Sequence, residues 1–302
     1  MKKIIVIILV SLLLIYSCGS DEQKINKQDN VLLAKEVTVT SLVSIDNYEN
    51  SEWTANLKRE ELFKKTFEKA ITKKITVYGG SSVDFGDMEN KKPYPLEDLN
   101  EKMNWNKDNQ NYAELKEILF YERWYFDKEH LKFTKEILGW SPIRIWKKDG
   151  EDDSQLRRTK MFYIYPLKNK EVKQIGENIK YEIQLQSEYP AIFAGFDQRG
   201  FLKFIFEGIK SGQITAYDPI YIVDKSKRKF TSSELAEYIG QELDAGLINV
   251  NMSSILFEED WYFDENTLAI QKDVKSFAFV QYTSGWETSI QKKFMFFIFP
   301  KE

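Results

Sequence analysis

The 302-residue chain has one cysteine and one histidine, and each scarcity removes a class of chemistry. With Cys18 alone, no disulfide can form within the chain. A zinc site of the His/Cys kind lacks its ligands, and a serine–histidine arrangement would have to rest on His130 by itself. No glycine-rich phosphate loop is present, because Gly79-Gly80 after Tyr78 reads as a turn. A spaced Asp/Asn/Gly calcium loop is also missing, and Glu151-Asp152-Asp153 reads as a solvated loop. Basic residues cluster only in the short run Lys225-Ser226-Lys227-Arg228-Lys229, within a chain of formal charge −4. That balance argues against nucleic acid as a partner. Aromatic residues are not scarce: they make up 15% of the chain, which suits β-rich packing and argues against disorder.

The longest apolar run, Ile4 to Tyr16 broken only by Ser11, is 13 residues long. A membrane span needs about 20. The run follows Lys2 and Lys3 and ends at Ser17-Cys18, a pattern that resembles a bacterial lipoprotein signal. On this reading residues 1–17 are a signal peptide and Cys18 is the lipid-attachment point. Buried methylenes contribute about 0.8 kcal/mol each, so one acyl chain binds marginally while two or three anchor stably. The expected location is the outer membrane, on its periplasmic face, with the membrane contacted through lipidated Cys18. Residues 18–35 begin polar and lack helical periodicity, so they read as a flexible tether.

Beyond the tether the chain repeats itself. Leu119 to Leu131 reads LFYERWYFDKEHL, and Leu256 to Leu268 reads LFEEDWYFDENTL. Phe67 to Tyr78 (FEKAITKKITVY) answers Phe206 to Tyr217 (FEGIKSGQITAY), and Met161 to Pro166 (MFYIYP) answers Met295 to Pro300 (MFFIFP). These three matches fall in one order with offsets of 139, 137 and 134 residues, a drift that small loop insertions explain. Two units are expected, at 36–168 and 176–302, with a boundary in the charged stretch Lys168 to Lys180.

Within each unit the period changes from helix to strand. Leu62, Phe63, Phe67, Ala70 and Ile71 recur at helical spacing, predicting a helix over Leu57 to Lys73. Its counterpart, Phe201 to Ser211, is apolar on more of its circumference and is expected deeper, between the units, with Gly212 as its stop. Thr231 and Glu234 fit a capping box, with Phe230 stapled on Leu235, which predicts a helix from Ser232 to Leu243. The matching helix of the first unit is expected at Leu96 to Met103, after Pro95. Strands are expected at Val37 to Ile45, Leu119 to Phe126, Lys132 to Trp146 and Met161 to Tyr165. In the second unit they fall at Tyr181 to Leu185, Ile255 to Phe263, Gln271 to Trp286 and Phe294 to Phe299. The fold class is therefore α+β: two tandem repeats, each with two helices and a small, mainly antiparallel sheet.

With these residues laid out, the chain resembles the gliding-motility and type IX secretion family called GldN or PorN. The second unit carries the likeness best, in Glu207 to Asp218 (EGIKSGQITAYD), Phe230-Thr231 and Glu258 to Asp264 (EEDWYFD). The first unit matches at Ile75-Thr76-Val77-Tyr78 and at Trp124-Tyr125-Phe126-Asp127-Lys128. The resemblance implies an envelope protein that works with other envelope proteins. The chain departs from the family pattern in carrying two copies and its own lipid-attachment signal.

The repeated motif, Trp124, Tyr125, Phe126 and Asp127 with Trp261, Tyr262, Phe263 and Asp264, has two readings. Asp127 and Asp264 could meet as a carboxylate dyad. The simpler reading sends the tryptophan and phenylalanine of each copy to one strand face and the tyrosine to the other, for packing or partner contact. The aspartate then holds a turn through backbone N–H groups. No catalytic set, metal site or cofactor site emerges from the residues. The functional expectation is a non-enzymatic, lipid-anchored assembly or docking component. The alternative is a surface lipoprotein that binds peptide or glycan on exposed aromatics such as Trp53, Trp105, Trp140 and Trp146.

Overall fold

The computed structural model describes residues 30–43, 51–79, 92–94, 112–147, 150, 152, 156–166, 171–185, 193–194, 196–220, 227–239, 254–284 and 290–301. Cys18, Trp105 and the helix expected at Leu96 to Met103 lie outside them. In chain order the strands are β1 (Asn30–Leu42), β2 (Tyr78–Gly79), β3 (Lys92–Pro93), β4 (Leu115–Asp127), β5 (Lys132–Trp146) and β6 (Arg157–Lys160). They continue with β7 (Lys173–Gln184), β8 (Phe193–Ala194), β9 (Ser254–Asp264), β10 (Ala269–Ser284) and β11 (Ile290–Ile298). The helices are α1 (Arg59–Ile71), α2 (Gln198–Lys210) and α3 (Ser232–Ile239).

One sheet has the order β6-β5-β4-β1-β8, a second β11-β10-β9-β7, and β2 and β3 form a small pair. Every pairing is antiparallel. The first sheet is built from the first repeat except for β8, and the second sheet from the second. The two large sheets face each other across one continuous core, with Phe120, Trp124 and Phe126 on one side and Phe257, Trp261 and Phe277 on the other. Rings meet across it edge to face, as in Phe133 with Phe277 at 4.9 Å between centroids. That geometry suits the quadrupoles of aromatic pairs.

The two hairpins share an irregularity. Between β4 and β5 the register passes from Glu122–Ile137 to Tyr121–Gly139, so Leu138 is unmatched. Between β9 and β10 it passes from Glu259–Val274 to Glu258–Ser276, so Lys275 is unmatched. Leu138 and Lys275 are 137 residues apart, the offset of the sequence repeat. A bulge re-aims the side chains beside it, and here it adjoins a buried glutamate in each repeat.

The helices follow their apolar stripes. On α1, Leu62, Phe63, Phe67 and Ala70 are buried, and Phe67 packs on Phe162 at 4.9 Å. The Asp197 side chain accepts from Gly200 N at the start of α2, and Gly212 takes φ +75° just beyond its end. Phe201 of α2 touches Phe126 and Phe133 from the first repeat and Phe277 and Phe279 from the second. Through Phe201 this helix reaches both units, but it is no more deeply buried than α1, whose Leu62, Phe63, Phe67 and Ala70 have no exposed surface. At α3 the capping box is closed in both directions, Thr231 N to Glu234 Oε2 at 2.8 Å and Glu234 N to Thr231 Oγ1 at 3.2 Å. Phe230 packs against Tyr238 with the rings tilted, 5.4 Å between centroids.

Three expectations change. β1 begins at Asn30, inside the stretch read as tether, because Leu33 and Ala34 bury against the core while the backbone pairs with β4. β7 begins at Lys173, inside the charged boundary stretch, where Ile175 and Ile179 are buried and Lys173, Gln174 and Glu177 face solvent. Met161 to Tyr165 is buried at its first four residues but is not a regular strand. Tyr163 bridges to Tyr78 and Ile164 to Trp140, so successive residues bond different neighbours. Tyr217 makes the corresponding bridge to Phe297 in the second repeat.

Candidate functional site at the seam between the repeats

β4 and β9 carry the repeated motif, and strand alternation sorts its side chains. Trp124 and Phe126 point into the shared core, as do Trp261 and Phe263, while Tyr125 and Tyr262 are half-buried on the opposite faces. The aspartates sit at the ends of their strands. Asp127 Oδ1 accepts from the N–H groups of Glu129 and His130, each at 2.9 Å. Asp264 Oδ1 accepts from Asn266 N at 2.8 Å and Thr267 N at 3.4 Å, and its Oδ2 from Glu171 N at 3.3 Å. Each turn then closes on a leucine of positive φ, Leu131 at 53° and Leu268 at 55°. The two carboxylates hold equivalent turns at the ends of β4 and β9. His130 Nδ1 lies 2.7 Å from Asp127 Oδ2 on the exposed side of its turn.

The alternation brings a second set of residues inward that the motif alone did not mark. Glu122 lies two residues before Trp124, and Glu259 two before Trp261, so each carboxylate shares its tryptophan's face. The indole N–H of Trp124 donates to Glu122 Oε2 at 2.7 Å, and that of Trp261 to Glu259 Oε2 at 2.9 Å. The other oxygen of each carboxylate faces the opposite repeat. Lys272 of β10 donates to Glu122 Oε1 at 2.6 Å, and Lys135 of β5 donates to Glu259 Oε1 at 2.6 Å. All four charged side chains have no exposed surface.

Aromatic faces complete the enclosure. Lys135 Nζ lies 3.1 Å from the ring centre of Phe257, and Lys272 Nζ 3.4 Å from that of Phe120. The Tyr181 hydroxyl accepts from Lys135 at 2.9 Å and from Lys272 at 3.1 Å, and donates to Glu259 Oε1 at 2.9 Å. Burial pushes the Lys135 ammonium down to about 8, although Glu259 and Glu122 act to keep it charged. Burial alone would raise Glu122, but Lys272 and Lys135 bring it below the ordinary carboxylate value. Tyr181 is held well above its ordinary value by burial first, then by Glu259 and Glu122. Buried charges are tolerated only when paired and fully hydrogen-bonded, and removing one partner costs about 3–5 kcal/mol. The seam therefore makes each repeat depend on the other.

The remaining aromatics fall into different places. Trp140 is fully buried, its N–H donating to Leu268 O at 2.9 Å, which removes it from any exposed binding surface. Trp53 is half-buried beside Phe294, and Trp146 is half-buried under Arg144 and Arg157. Among the described residues, no group of three or more His, Cys, Asp or Glu side chains is placed to hold a metal ion. No helix among them is long and apolar enough to cross a membrane.

A family model described as gliding motility associated protein GldN matches residues 26–175 and again residues 173–301. The chain belongs to the GldN family. It does so twice, as two tandem GldN units, and the two matched ranges meet at the start of β7. The seam of paired Glu and Lys side chains lies where one GldN unit faces the other. No curated protein matches the chain.

Proposed function

We propose that this GldN-family chain is a lipid-anchored envelope protein that acts by contact, as an assembly or docking component of the gliding-motility and type IX secretion apparatus. The observation that carries the reading is the double family match across 26–175 and 173–301. The geometry supports it: the residues that the repeat preserves are spent on packing, on two turns and on the seam, where no substrate has access. The N-terminal pattern ending at Cys18 supports anchoring through a lipidated thiol at the outer membrane, with the folded units on the periplasmic face. Its partners are other envelope proteins.

Mild crosslinking of the lipidated protein in its own membrane, followed by identification of what it holds, tests the role. The reading expects another envelope protein at a stoichiometric level, and recovery of the chain without one contradicts it. A Cys18→Ser chain should leave the membrane fraction. Its retention there would contradict the anchor.

A further inference from the structure

The contacts between the repeats recur with the roles of the repeats exchanged. Glu122 takes Lys272, and Glu259 takes Lys135. Trp124 meets Phe257 at 5.4 Å, and Trp261 meets Phe120 at 5.3 Å. Outside the core, Lys65 of α1 pairs with Glu265 in the second repeat's turn at 3.3 Å. The equivalent of Lys65 on α2 is Phe204, and it lies under Lys128, the equivalent of Glu265, at 5.2 Å. Even the arms before the helices cross over: Lys58 N donates to Ile175 O on β7, while β8 pairs with β1.

Contacts in which residue i meets j and j meets i are the signature of a twofold, self-complementary interface. Each repeat alone holds both halves of the code, Glu122 with Lys135 in the first and Glu259 with Lys272 in the second. We infer that the inner face of each repeat is a pairing surface whose fitting partner is another unit of the same kind, and that this chain occupies that surface by carrying both units in one polypeptide. A second copy of the chain is thus excluded from the seam while the two repeats stay together, and it is admitted when they part. Beside the seam charges the symmetry is broken at Tyr181, which stands opposite Phe257 where Val39 stands opposite Phe120. Its hydroxyl bridges both lysines, which favours the mixed pair of first and second repeat over two first repeats. The inference rests on the repeats and not on the docking role, and its test reads mass rather than membrane partners.

Four variants of the detergent-solubilised full-length chain, each losing one carboxylate and one ammonium, make the test. Glutamine keeps an acceptor for the indole N–H. E122Q/K272M and K135M/E259Q each remove one complete cross-repeat pair and leave the other intact. E122Q/K135M and E259Q/K272M instead leave one repeat with a Glu and a Lys that have each lost the partner they took from the other repeat, and a second copy restores both of those pairs. In analytical ultracentrifugation the first two should keep the mass of the unaltered chain. The last two should gain a species of twice that mass whose share rises with concentration. An unchanged mass in the last two overturns the inference. A second measurement needs no substitution. Differently tagged unaltered chains, unfolded in urea and refolded together at high concentration, should yield a mixed species absent from chains mixed without urea. Recovery of each tag only with itself overturns the inference as well.

Discussion

Trp124 of the first repeat and Phe257 of the second meet edge to face, with 5.4 Å between ring centres and no exposed surface on either. Trp261 and Phe120 repeat the contact in the other direction. Truncating a fully buried tryptophan removes its dispersion contacts and leaves a cavity, at a cost of about 3–5 kcal/mol. Trp124→Ala and Trp261→Ala should each lose that much in urea unfolding, because each ring fills the core opposite a phenylalanine of the other repeat. A loss below about 1 kcal/mol at either position would mean that the inner faces are not packed against each other.

The two turn aspartates should differ. Asp127 holds two N–H groups on an exposed turn, so Asp127→Ala should cost about 1 kcal/mol, the usual effect of a lost cap. Asp264 is fully buried and serves three N–H groups, one of them from Glu171 far along the chain. Its replacement by alanine strands three N–H groups, that of Thr267 buried, and should cost about 2 kcal/mol. Amide hydrogen exchange at Asn266 should accelerate accordingly, and equal stability of the two variants would contradict the assignment.

Stability should rise with pH on the mildly alkaline side. Lys135, depressed by burial to about 8, binds fewer protons in the fold than in the unfolded chain above that pH, where the ordinary value is 10.5. The folded state therefore gains as the pH rises through this window, by about 2 kcal/mol between pH 8 and 10. Tyr181 acts in the opposite sense: burial raises it, so above about pH 10 the unfolded chain sheds its phenolic proton first and stability falls. Denaturant unfolding across pH 7 to 11 should show this rise and fall. Lys135→Met should abolish the rise.

Much of this arrangement was legible in the sequence. Lys132 to Trp146 is a strand over the expected range, the capping box at Thr231 closes as read, and the alternation of Trp124, Tyr125 and Phe126 is that of a half-buried strand. Less legible was the seam, although its signal is present. Phe120, Glu122, Trp124 and Phe126 share one face, as do Phe257, Glu259, Trp261 and Phe263. A carboxylate at the same place in two apolar faces needs a buried cation, and Lys135 and Lys272 recur at the same offset. What periodicity could not supply is that each cation serves the other repeat, because that depends on how two sheets meet. The start of β1 was missed for a related reason: a short apolar stretch at the end of a polar segment becomes a strand only because β4 offers it an edge.

Reciprocal buried ion pairs hold the two GldN units face to face, and a double-mutant cycle on Lys135 and Glu259 measures that hold. Lys135→Met and Glu259→Gln, measured singly by urea unfolding, should each cost about 3–5 kcal/mol, because each leaves its partner's charge buried and uncompensated. The double variant should cost clearly less than the sum, with the same sign of coupling in the matching cycle on Lys272 and Glu122. Costs that add to within about 0.5 kcal/mol in both cycles would mean that the pairs do not couple the units.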